Sequence, residues 1–207
     1  MVKAKGPVWH KKDKAANHIP PRLTGLDKEA TWSKSRADGW VYGHGTFSIV
    51  SHKTPVLGCF MWMTNSAHEG KRMYEEAAYY QGSLTYLAMD SKADDQSMFQ
   101  ELKENYQINL VTVCRKNMNK TENRRKMIQA MQSKRNQNIL KERGQTVEPM
   151  QGIVKDIFEL DRCWMRSDAS NRWLFAAMGI SVQIAQLKAY KENKSTWKIK
   201  SEVLGEP

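Results

Sequence analysis

The sequence predicts an α/β domain with a mixed sheet, and three observations carry that prediction. Two runs of aromatic, apolar and β-branched residues, 40–50 and 56–63, are separated by the turn signal Thr54-Pro55, the pattern of an antiparallel strand pair. Two short and nearly continuous apolar runs, 84–89 and 108–114, enclose a helix-periodic segment, the pattern of a parallel strand-helix-strand crossover. The last third of the chain repeats apolar residues at helical spacing.

Taken in order, 40–50 reads as a long strand and 56–63 as its partner, followed by a helix over 67–81 in which Met73, Ala77 and Tyr80 share a face. The buried strand at 84–89 stops at Asp90. A helix over 95–105 then places Met98, Phe99 and Leu102 together, and the next strand ends at Arg115-Lys116. A basic helix is expected over 121–143. A second helix opens near Gln145-Thr146 and runs to about 161, with Val147, Met150, Val154, Ile157 and Phe158 as its apolar stripe, and a third covers 171–192. The division expected is a basic N-terminal segment (1–36), a core (37–192) and a loose polar tail (193–207).

The chain has 207 residues and a formal charge of +11, unevenly spread. Segment 1–36 has nine basic residues against three acidic, and 115–143 has ten against two, whereas 37–114 has five against nine. Basic stretches of this kind suit a polyphosphate backbone, and equally a surface that keeps the protein in solution. No apolar run is long enough for a membrane span, so no membrane partner is expected. Cys59, Cys114 and Cys163 are widely spaced and odd in number, which fits reduced thiols in a cytoplasmic protein. The five histidines show no zinc spacing with one another or with the cysteines.

Two carboxylates stand out. Asp90 follows a strand at the position where open α/β sheets line their ligand crevice, although an aspartate there commonly caps a turn. Glu148 lies near the start of its expected helix, and Glu148, Gly152 and Lys155 fall on one face, opposite the apolar stripe. Such a face allows close approach of a polymer. It is also what an ordinary solvated face with a dipole-favoured glutamate looks like. Trp9 and Trp32, inside the basic segment, are candidates for base stacking or for packing on the sheet.

The order of Trp40-Val41-Tyr42-Gly43, a strand ending in Asp90, a strand ending in basic residues, and then the run from Arg143-Gly144-Gln145-Thr146-Val147-Glu148 to Lys155 resembles the catalytic domain of bacterial insertion-sequence transposases of the DDE class. The resemblance covers about 3–190. It implies an RNase H-like mixed sheet flanked by helices, with carboxylates that bind Mg²⁺ or Mn²⁺; Asp90 matches the second aspartate and Glu148 the glutamate, seven positions before Lys155 as in the family. It further implies metal-dependent cleavage and strand transfer of double-stranded DNA at element ends, in a nucleoid-associated cytoplasmic setting, as a homo-oligomer or with a full-length transposase. Lys155, Arg143, Arg115, Lys116, Arg124 and Arg125 become the expected DNA contacts.

The sequence departs from the family in two places. Ile139-Leu140 stands where the family has a tyrosine ahead of the arginine. The first aspartate, expected on a strand before the Trp40 strand, is not matched by Asp13, Asp27 or Asp38, and the family pattern implies a fragment lacking its first strand. The resemblance therefore carries an alternative: a non-catalytic remnant that binds element DNA or pairs with a full-length copy. His68-Glu69 fits a helix start better than a site.

Overall fold

A computed structural model describes residues 1–35, 39–52, 54, 56–63, 69–115 and 121–205. The chain is mixed α/β with small sheets, and it divides into two compact units, 1–66 with 149–207, and 67–148.

In the first unit, β3 (Gly39–Val50) is the central strand, buried from Val41 to Gly45 and again at Phe47. β4 (Leu57–Met63) pairs with it antiparallel, as the Thr54-Pro55 signal predicts, with a register shift at Ile49/Val50. The basic N-terminal segment is not a separate arm. It supplies two further antiparallel strands on β3, β1 (Val2–Lys3) and β2 (Thr31–Ser35). Gly43 makes the β1 pairing possible, since a Cβ there would lie 2.1 Å from the Val2 carbonyl oxygen. A short helix α1 (Lys11–Ala15) lies between these two strands in sequence. Trp9 is buried with Ala4, Ala30 and Tyr42, its indole donating to the His18 carbonyl at 2.8 Å, and the Trp32 indole donates to the Trp9 carbonyl at 2.7 Å. Both indoles serve packing.

Helix α6 (Asp168–Lys191) lies on β4, closely enough at Gly179 that a Cβ there would sit 3.1 Å from the Phe60 Cβ. Phe60 and Phe175 stack with centroids 5.4 Å apart. The Gln186 side chain accepts from the Leu57 N–H at 2.8 Å and donates to the Thr196 carbonyl at 3.1 Å, so one buried amide satisfies a strand end and the chain beyond the helix. The C-terminal residues are accordingly not a loose tail: Ile199 is fully buried and α7 (Lys200–Leu204) follows it.

In the second unit, α2 (Glu69–Ala77) and a 3-10 turn (Ala78–Tyr80) precede β5 (Tyr86–Ala88). The expected crossover is present: α3 (Gln96–Tyr106) connects β5 to β6 (Asn109–Val111), and the two strands pair in parallel. Asp95 caps α3 by accepting from the N–H groups of Ser97 and Met98 at 2.9 and 3.2 Å. α4 (Glu122–Met131) follows, capped by Thr121. The helix boundary expected at Gly144 lies earlier. The break falls at Gln132-Ser133, and α5 runs unbroken over Lys134–Ile157 through Gly144 and Pro149. Pro149 is where the chain passes from the second unit back to the first.

Candidate active site

The carboxyl ends of β5 and β6 lie side by side because the strands are parallel, and Asp90 and Asp94 follow the end of β5. Asp90 follows β5 in extended backbone and caps the 3-10 turn Ser91–Ala93, its carboxylate accepting from the Lys92 N–H at 2.9 Å. Its carbonyl accepts from the Thr112 hydroxyl at 2.6 Å, which fixes the exit of β5 to the exit of β6. Asp90 is half-buried. It thus has the capping role common for an aspartate after a strand, at the strand end where open α/β sheets generally place their ligands.

Four residues on, Asp94 is buried. Its carboxylate is held by both terminal nitrogens of Arg124, with Nη2 2.8 Å from Oδ2, and by the Arg115 N–H at 2.5 Å. Burial opposes charge on Asp94, but the Arg124 and Arg115 bonds outweigh it and hold the carboxyl below its ordinary pKa. The Cys114 thiol beside it is pushed up by burial and then by the Asp94 charge. Arg124 therefore cannot be a surface phosphate contact: its side chain is 1% exposed, neutralising Asp94 inside the unit.

Glu148 is exposed on α5 in the turn immediately before Pro149 and belongs to the same compact unit as Asp90. Gly144 and Gly152 lie four residues to either side of it, and a Cβ at either would meet nothing within 4 Å. Their lack of a side chain is therefore not required by packing among the described residues, although each glycine costs a helix interior about 1 kcal/mol. Lys155 is half-buried in the last turn of α5, two turns beyond Glu148. Arg143 is half-buried, while Arg115 and Arg125 are exposed. Lys116, Asp38 and His68 lie outside the described residues.

The upstream aspartates have other roles. Asp13 sits in the first turn of α1, 3.6 Å from the His18 ring. Asp27 is buried in the first unit, 3.0 Å from His44 Nε2, while its carbonyl accepts from the Tyr42 hydroxyl at 2.5 Å. Burial opposes charge on Asp27 too, and the His44 interaction leads the contacts that hold its pKa low. Burial, followed by the Asp27 charge, pushes Tyr42 and Cys163 each up to about 12. No periodicity or spacing announces the Asp27–His44 pair in the sequence.

Among the described residues, no group of three or more His, Cys, Asp or Glu side chains is placed to hold a metal ion. No described helix is long and apolar enough to cross a membrane. Comparisons with protein-family models, with curated proteins and with solved structures return no match for this chain.

Proposed function

We propose that this chain is the RNase H-like catalytic core of an insertion-sequence transposase of the DDE class, acting on double-stranded DNA with a divalent metal. The observation that carries the reading is Asp90 at the carboxyl end of β5, in a parallel β5-α3-β6 crossover that precedes a long helix bearing Glu148. The antiparallel β3–β4 pair ahead of it in the chain is in keeping with such a core.

Asp90 and Glu148 are hard oxygen donors, the type that Mg²⁺ and Mn²⁺ take alongside water. A bound metal pair offsets charge on the attacking and leaving oxygens of a phosphodiester. The chain's own part is to position the DNA. The face beside Glu148, bare at Gly144, lets a phosphate backbone lie close to the helix. Within the second unit Arg143, Arg115 and Arg125 supply cations as planar forks, and Lys155 of the first unit is a point charge for phosphate.

A second reading, a DNA-binding remnant without cleavage, is favoured by one observation. Asp27 does not supply a third carboxylate, because it is buried on His44. A nicking and strand-transfer assay on DNA carrying the element ends, with and without Mn²⁺, separates the two. Metal-dependent cleavage that Glu148→Ala abolishes is expected of the enzyme. Salt-sensitive binding without cleavage supports the remnant, and the absence of both sinks the DNA reading.

A further inference from the structure

Helix α6 is apolar on two opposite sides. One face, with Phe175, Met178, Val182 and Ala185, is buried in the core of the first unit. The other exposes Trp173 (74%), Ile180 (55%), Ile184 (63%) and Leu187 (54%), with Tyr190 (62%) at its margin. At 100° per residue, Trp173, Ile180, Ile184 and Leu187 form one continuous stripe along most of the helix. A helix that is apolar all round is ordinarily buried all round.

We propose that this face is the interface of a homodimer in which α6 packs antiparallel against α6 of a second copy, with the two-fold axis at Ile180. The stripe is self-complementary about that residue. A two-fold there sets Trp173 opposite Leu187 of the second copy, Ile184 opposite the small exposed Ala176, and Ile180 opposite itself. Arg172 and Lys188 come to flank each other across the axis. Each is already neutralised within its own chain, Arg172 by Asp168 and Lys188 by Glu202, so the approach brings no net like-charge repulsion.

The area suffices. Scaling roughly 150–250 Å² for a large side chain by these exposures, the five side chains offer about 600 Å² per copy, and pairing that covers them fully removes up to about 1,200 Å² in total, the lower end of stable interfaces. Antiparallel packing also opposes the two helix dipoles.

Sedimentation velocity on the full chain between about 1 and 100 μM tests this across the range where such an interface dissociates. The expected result is a monomer-dimer equilibrium that Ile180→Glu weakens by at least about a hundredfold, since it places two carboxylates on the axis. Ile180 is exposed, so the circular dichroism and Tm of the dilute variant should match the parent. With Cys59→Ser and Cys114→Ser as background, Ile180→Cys should cross-link efficiently with a short bismaleimide, whereas Ser181→Cys, turned 100° around the helix, should not. A parent that is monomeric throughout, a dimer that survives Ile180→Glu, or equal cross-linking from both positions overturns the proposal.

Discussion

Each compact unit buries an aspartate, Asp27 in the first and Asp94 in the second, and the two are held by different chemistry. Asp27 shares a hydrogen bond with an imidazole and accepts from the Glu29 N–H at 3.2 Å. Asp94 is gripped by a guanidinium and by the Arg115 N–H. An imidazole can donate a hydrogen bond with or without carrying charge, whereas a guanidinium always brings one. The contact around Asp27 therefore survives a change in charge. That around Asp94 does not, because removing either partner strands a charge inside the unit. The placement differs as well. The first pair joins the N-terminal segment to β3, while the second joins the turn after β5, the exit of β6 and α4, the strand ends that present Asp90.

The largest effect expected from this contrast is on stability. Arg124→Met should cost about 3–5 kcal/mol by leaving Asp94 buried and unpaired. Asp27→Asn, which keeps its shape and one acceptor oxygen, should cost about 1–3 kcal/mol. Urea unfolding followed by far-ultraviolet circular dichroism gives both values. Adding Asp94→Leu to Arg124→Met should restore a good part of the loss, since it removes the stranded charge. The comparison breaks if Asp27→Asn is the costlier change.

A smaller effect is in the acid limb of stability. Asp94 has a folded pKa below its unfolded value of about 3.9. Its contribution is thus complete above the unfolded value and is lost as the pH falls through the folded one. Stability should fall with acidification below about pH 4, and Arg124→Met should flatten that dependence because Asp94 is then no longer held ionised. Tm measured against pH reads this directly. If the parent and Arg124→Met lose stability with the same slope, the Asp94 pair is not what acid disrupts.

The sequence made some of this legible and hid the rest for identifiable reasons. β3, β4 and the β5-α3-β6 crossover could be read because their apolar runs are bounded by turn residues or by charge. β1 and β2 could not, because lysines surround them and the pairing of β1 rests on Gly43, whose role is visible only once Val2 lies against it. Gly144 looked like a helix boundary, yet α5 passes through it and the break occurs at Gln132-Ser133, where neither residue is a strong breaker. Trp197, Ile199 and Val203 are scattered through a polar stretch, so the full burial of Ile199 left no run or stripe long enough to read. For the site, Asp90 was legible from its strand, whereas the burial of Arg124 depends on Asp94, thirty positions away.

The smallest expected effect concerns the neighbouring arginines of α4, which composition cannot tell apart. Arg124 is buried and Arg125 exposed, so the two should separate stability from DNA binding. Arg125→Ala should change stability by no more than about 0.5 kcal/mol, as surface changes do. If Arg125 meets a phosphate, the slope of log affinity against log salt for duplex DNA should become shallower by about 0.9, one released counterion. Fluorescence anisotropy at several salt concentrations measures the slope. An unchanged slope would take Arg125 off the DNA and leave the charge of α4 as a solvated face, whereas a changed slope with unchanged stability would show that adjacent positions on one helix serve the core and the partner separately.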